Sequence, residues 1–343
     1  MSHAPCPSPL PGRCPRQRPG RRHHQRGAAL LVAMLIVTLV TTLAAGMVWQ
    51  QHRAFEVEAA ERARTQASWL LGGALDWARL ILREDARDGG ADGLTEPWAT
   101  GLAEIRLSSF LASDSNRSAD DGLDAFLSGQ IEDAQARYNL RNLLEGNPEQ
   151  LKAEQAILNR LFETLGLTPT LAQQLGERLR QAHQATQGSA SADGSTGQAG
   201  GDAAALPLMP QRAEQLTWLG LDRRSLDTLA PYLVMLPQRS TVNINTAPVE
   251  VLMAAVEGLD RASAQRLAQQ RLLLKKGFED LSAAKPYLPE KVSLSPRHIG
   301  TRSSHFEVTG QLRYEDMVLR ERSLLQRQGL EVRVLRRDRV PES

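Results

Sequence analysis

Between Ala28 and Trp49 the chain runs for 22 residues without a charged side chain, and no other feature limits its folding so strongly. At about 1.5 Å per helical residue this run spans roughly 33 Å, enough to cross the hydrocarbon core of a bilayer. The 27 residues before it hold six arginines (Arg13, Arg16, Arg18, Arg21, Arg22, Arg26), three histidines and no acid. A basic flank keeps its end of an apolar helix in the cytoplasm, so the sequence predicts a single-pass protein with most of its mass across the membrane. A secretory signal would place a small-residue cleavage site after a shorter apolar core. Here the small residue, Gly27, stands before the run. A cut between Gly27 and Ala28 would discard the leader and leave the whole helix on the mature chain. An uncut signal anchor carries the same flank and the same run, and this segment alone leaves both readings open.

Loss of the leader changes the bulk chemistry. Cys6 and Cys14 are the two cysteines of the chain, and both would go with it. The mature domain would then hold together by its core, without disulfides. The formal charge of +2 comes from 41 basic and 39 acidic residues. Removing six arginines leaves 35 against 39, a net of about −4. That sign argues against nucleic acid as a partner.

The apolar run continues into an amphipathic pattern: Phe55, Ala59, Ala63, Ala67, Leu70, Leu71, Ala74, Leu75, Ala78, Ile81 and Leu82 recur at helical spacing among charged residues. No proline falls between Ala28 and Glu96; Gly46 and Gly72-Gly73 are candidate bends, and Asp88-Gly89-Gly90 is a stop. A loop-rich stretch follows, with short strand-like pieces at Ala125–Leu127 and Gln130–Asp133. From Tyr138 to about Ala182 the pattern is helical, with starts at Asn147-Pro148 and Thr168-Pro169. Residues 185–205 hold no apolar side chain larger than alanine up to Ala205 and read as a flexible loop. Helical signals resume from Arg212 to Leu274. Ser304–Leu312, Val318–Leu325 and Gly329–Leu335 read as three strands. Strands flanking a helical block point to helices inserted into a small α/β domain.

Four stretches make the chain similar to the type II secretion minor pseudopilin K family. They are Arg26-Gly27-Ala28-Ala29-Leu30-Leu31-Val32; Glu96-Pro97-Trp98-Ala99; Gly129 through Leu140 with Asn142-Leu143; and Thr241 through Pro248 with Leu252 and Arg271. Ser304–Val308 and Arg322–Leu325 fit as well. The resemblance implies an α+β fold, in which a pilin-like long N-terminal helix packs on a small antiparallel sheet that carries a large inserted all-helical domain. The expected divisions are a leader (1–27), a transmembrane helix (28–49), its periplasmic continuation (50–90), the first part of the pilin domain (91–137), the inserted block (138–300), the closing strands (301–336) and a tail (337–343). The resemblance implies a non-enzymatic subunit of the type II secretion pseudopilus in the inner membrane of a Gram-negative bacterium, its bulk periplasmic. Prepilin peptidase would cut between Gly27 and Ala28. The implied partners are the minor pseudopilins I and J, the other pseudopilins and the inner-membrane secretion platform.

Most pilin-like chains carry glutamate at the fifth mature position, which pairs with the amino terminus of the subunit above. Here that position is Val32. A carboxylate in hydrocarbon is costly unless paired, and a subunit at the filament tip has no neighbour above it, so the resemblance implies a tip position. Val242 through Pro248, with Leu252, Gly258-Leu259, Ala264 and Arg271, also resembles a helix-hairpin-helix module of DNA-uptake proteins. Thr246 is a candidate cap for the helix near Pro248, with the asparagines bracing the turn. Such modules bind phosphate at a helix amino terminus, where this chain has Asp260, a carboxylate that repels anions. A type IV pilus minor pilin is a further alternative, though the mature chain could not form the disulfide usual there.

Other chemistry is sparse. Asp114, Asp120, Asp121 and Asp124 place oxygen ligands at a loop spacing that calcium can use; the resemblance implies calcium for some members, and solvated loop acids fit the same pattern. His52, His183, His298 and His305 lack metal-ligand spacing and read as surface or loop residues. No nucleophile elbow, Walker loop or dinucleotide motif occurs. Trp69, Trp77 and Trp98 read as packing aromatics.

Overall fold

The computed structural model describes residues 26–107, 125–190, 208–314 and 317–340. They fall into two units, one ending at Ala63 and one beginning at Arg64. A single helix, α1 (Arg26–Asp88), supplies residues to both.

In the first unit α1 is apolar on all sides from Ala28 to Trp49, and every large apolar side chain from Leu30 to Trp49 is exposed. The three threonines of the run satisfy their hydroxyls internally: Thr38 donates to the Leu35 carbonyl, Thr41 to that of Val37 and Thr42 to that of Thr38, each at 2.9 Å. No polar group of these side chains then needs water, the condition for sitting in lipid.

In the second unit α1 becomes one-sided. Ala67, Leu71, Leu75, Ala78 and Leu82 are buried at the three- and four-residue spacing of one helix face. The helix is uninterrupted through Gly46 and Gly72-Gly73. It ends at Gly89, whose positive φ of 62° suits a residue without Cβ. The buried stripe lies on a five-stranded antiparallel sheet of β1 (Leu102–Arg106), β2 (Ala125–Asp133), β7 (His305–Tyr314), β8 (Met317–Gln328) and β9 (Glu331–Val340), in spatial order β1-β2-β7-β8-β9. Leu127 faces Leu312 and Ile131 faces Val308 across the β2–β7 pair. Between those layers Gly129 faces Gly310. With no side chain from β2 or β7 in that layer, the core splits into a cluster around Leu71, Leu127 and Leu312 and another around Leu82, Trp98 and Phe306. A cavity of 270 Å³ lies between them.

The chain between β2 and β7 forms the inserted block. It contains β3 (Tyr138–Asn139), α2 (Pro148–Thr164), α3 (Pro169–Ala190), α4 (Arg223–Leu229), β4 (Leu233–Val234), β5 (Val242–Asn243), α5 (Val249–Ala255), α6 (Arg261–Leu273), α7 (Leu281–Ala284) and β6 (Ile299–Gly300). Asn147 and Gln150 cap α2 reciprocally, with Pro148 in the first turn, as the Asn-Pro pair predicts. One continuous core fills the block, from Tyr138 and Leu161 to Phe278 and Ile299.

The architecture agrees with the α+β expectation, with local corrections. The block is not all-helical: β3 pairs with β4 and β5 with β6, both parallel. Leu102–Arg106 forms an edge strand within the stretch read as loop; its short, mostly exposed pattern offers too little alternation to register. Residues 125–133 form one strand, because Gly129 lies on the core face and interrupts the apolar alternation without interrupting the ladder. Helix α3 runs to Ala190, into the stretch read as loop from 185. Strand β9 extends to Val340, taking in much of the expected tail. Trp69 and Trp77 are 78% and 43% exposed, since the buried face of α1 belongs to Leu71, Leu75 and Ala78. Trp98 does pack in the core, edge-on to Phe306 at 5.3 Å. His305 is buried, because the first residue of β7 faces the inserted block.

Candidate functional site

The sheet and the inserted block are joined where the chain leaves β2 and re-enters β7, and a buried polar cluster holds both crossings. Asp133, the last residue of β2, is its centre. Its Oδ1 accepts from the Gln135 backbone N–H at 2.8 Å. Its Oδ2 accepts from Asn243 Nδ2 at 2.8 Å, Thr246 Oγ1 at 2.6 Å and Ser303 Oγ at 2.6 Å. Asn243 Nδ2 also donates to the Asp92 carbonyl at 3.0 Å. Four hydrogen bonds lower the Asp133 pKa, but burial is the larger influence and raises it above the usual carboxylate value.

A charged neighbour completes the joint. Arg327, at the end of β8, pairs with Asp85 on α1 and with Asp92, donates to the Ser303 carbonyl at 2.9 Å, and stacks over Phe306 at 4.7 Å. Glu96 Oε2 accepts from Trp98 Nε1 at 3.0 Å and from the Gly93 N–H at 2.9 Å, while its Oε1 lies 3.4 Å from Lys276 Nζ. Burial raises the pKa of Asp92 and of Asp85, helped at Asp85 by the negative charge of Glu96; Arg327 opposes both shifts. Asp85, Asp92 and Glu96 offer oxygens within 4.8 Å of one another, a set a hard cation could use. Arg327 and Lys276 already supply the positive charge there, so the arrangement works as a clamp between α1, the sheet and the inserted block.

The helix-hairpin-helix resemblance holds in backbone form: α5, a turn through Gly258 at φ 77°, and α6. Its chemistry is different. Thr246 is not a cap; Pro248 occupies the N-cap of α5 without a side-chain bond, and Thr246 is turned to Asp133. Asn243 braces the turn through the Asn245 N–H at 3.0 Å, and Asn245 accepts from the Phe278 N–H at 2.7 Å. Buried Arg271 donates to the Ile244 and Ala247 carbonyls at 2.9 and 2.7 Å. Asp260 caps α6 by accepting from the Ser263 N–H at 2.9 Å, and that bond holds its pKa down. The helix end that would receive a phosphate therefore carries a carboxylate charge.

The sequence-predicted residues fare unequally. Gly27, Ala28 and Val32 lie on α1 in the first unit, Val32 being 56% exposed. Asp114, Asp120, Asp121 and Asp124, the calcium candidates, lie outside the described residues. The polar cluster as such was missed, although Glu96, Asp133, Asn243 and Thr246 all belong to the quoted stretches. Their clustering was the available signal: three distant segments rich in polar residues meet at one joint.

Two family models, both described as type II secretion system protein K, match residues 136–238 and 242–290. The type II secretion system protein K of Pseudomonas aeruginosa is 29% identical over 313 residues, covering 86% of this chain and 87% of that protein. Among solved structures, the GspK–GspI–GspJ complex of the enterotoxigenic Escherichia coli type 2 secretion system matches with a TM-score of 0.61 at 20% identity, covering 82% of this chain and 99% of the matched one. That likeness supports the fold, and the two models with the curated relative make the chain similar to type II secretion system protein K through its inserted block and along most of its length.

Proposed function

We propose that this chain is the minor pseudopilin that occupies the tip of the pseudopilus and starts or caps its assembly. The observation that carries the reading is Val32 at the fifth mature position, in a helix otherwise built like a filament subunit. A lateral subunit would gain from a glutamate there that pairs with the chain above; a terminal subunit gains nothing and avoids the cost of a carboxylate in lipid. The inserted block supports the same reading, since it adds a second and larger core to a pilin-like sheet. The role is structural. Arg26 and the rest of the leader lie in the cytoplasm until prepilin peptidase cuts at Gly27, and the second unit is periplasmic.

The matched Escherichia coli protein was solved with GspI and GspJ, and the partners proposed here are the corresponding I and J minor pseudopilins. Co-expression with the I and J proteins from the same bacterium, followed by affinity capture through this chain, tests the proposal. Recovery of a ternary complex with equal amounts of the three is expected. Capture of neither protein, with this chain folded and membrane-inserted, would remove the tip assignment.

A further inference from the structure

The face of the sheet turned away from α1 is roofed by part of the inserted block, leaving a cleft of 1120 Å³. Cross-strand registry lays its floor in rows. One row is Ser128, Gln311, Arg320 and Val340; the next is Gln130, Thr309, Arg322 and Asp338. Arg137, Arg212, Arg320, Arg322, Arg336 and Arg339 line the cleft against four carboxylates, a local excess of two positive charges on a mature chain with net charge about −4.

The arginines are not equally engaged. Arg137 pairs with Glu307, and Arg336 and Arg212 share Asp338. Arg322 meets Glu214 at 3.2 Å, with the side chains 40% and 60% exposed, a solvated pair of the kind worth at most about 1 kcal/mol. Among the described residues Arg320 meets no carboxylate; its Nε and Nη2 both donate to the single oxygen Gln311 Oε1, at 3.0 and 2.7 Å. Arg320 and Arg322 are two residues apart on one strand and point to the same side, so they are spaced by roughly 6.6 Å. That is the spacing of alternate residues in any extended peptide.

We infer that this cleft binds an extended acidic segment of a partner protein, with carboxylates at alternate positions set against Arg320 and Arg322. Charge complementarity selects the occupant. The volume exceeds that of ordinary small-molecule pockets, which run up to about 1,000 Å³. The four interleaved carboxylates disfavour the unbroken charge of a nucleic acid backbone, and the serine, threonine and glutamine side chains of the floor suit a peptide main chain. The inference does not depend on a tip position.

The test is fluorescence anisotropy of a labelled octapeptide of alternating glutamate and threonine, titrated with the full chain in detergent micelles at low salt. Binding that weakens with added salt is expected. Arg320→Gln should weaken it at least tenfold, Arg320→Lys should retain most of it, and Arg87→Gln, on the far end of α1, should leave it unchanged. A peptide of the same composition with its glutamates in one block should bind several-fold more weakly. The inference is overturned by absent binding, by equal binding of the two peptides, or by equal affinity of Arg320→Gln with an unchanged unfolding midpoint. Duplex DNA binding as tightly as the alternating peptide would mark a general anion surface and also overturn it.

Discussion

Asp133 stands where the chain leaves the sheet, and three of its four donors come from two other segments. Asp133→Ala would strand buried hydroxyl and amide groups together, and a cost of about 3 kcal/mol is expected in urea unfolding of the chain in detergent. A cost below about 1 kcal/mol would mean that water replaces the carboxylate. His305 adds a pH dependence of known sign. Burial lowers its pKa to about 4 from 6.5, so as pH falls the unfolded chain is protonated first. Its contribution is complete above pH 6.5 and lost as pH falls towards 4, about 3 kcal/mol over the full window. Burial raises Asp85, Asp92 and Asp133; they favour the fold below the ordinary value of 3.8 and lose that contribution as pH rises through their raised values. His305→Leu should therefore flatten the fall in unfolding midpoint between pH 7 and 4.5, and an undiminished slope would show that the imidazole is not its source. Sequence alone identified Thr246 as worth naming but assigned it to the nearest helix. Its partner lies 113 residues away, and local pattern carries no information about a bond of that span.

Periodicity made α1 legible from end to end, because its two halves obey different rules that both have a helical period: apolar all round, then apolar on one face. Strand β2 was harder, since the layer of Gly129 and Gly310 reads as a break in alternation while serving as part of a continuous strand pair. That layer also permits a test of packing. Ala74 lines the 270 Å³ cavity, and Ala74→Leu should fill part of it and raise stability by about 1 kcal/mol in chemical unfolding. Gly129→Ala also adds carbon to this layer, yet its Cβ would lie 3.0 Å from the Thr309 carbonyl oxygen. A backbone atom in a central strand cannot move aside, so that change should lower stability by about 1–3 kcal/mol. Opposite signs for the two substitutions are the expected result; stabilisation by both would mean that the sheet yields more easily than its registry implies.

At the scale of the whole chain, the order of strands around a helical block made the insertion visible in the sequence, and the specific stretches made the likeness to protein K visible. The small parallel pairs within the block were not visible, because two-residue strands leave no period to read. The proposed cleavage at the Gly27–Ala28 junction would act on the whole molecule. Cleavage there removes both cysteines and six arginines and takes the formal charge from +2 to about −4. Without cleavage, the basic leader opposes passage of the helix end into the bilayer core, since each arginine there costs about 2.5–3.5 kcal/mol or more. The helix of an uncut chain would thus stay anchored and could not enter a filament. Gly27→Leu, which puts a bulky side chain at the cut, should leave the leader attached and abolish secretion while the chain still inserts in the membrane. Intact mass measurement of membrane-extracted protein reads this directly: the unaltered chain should begin at Ala28 and the variant should retain its 27 leader residues. An unaltered chain still carrying its leader in secreting cells would refute the junction as a processing site.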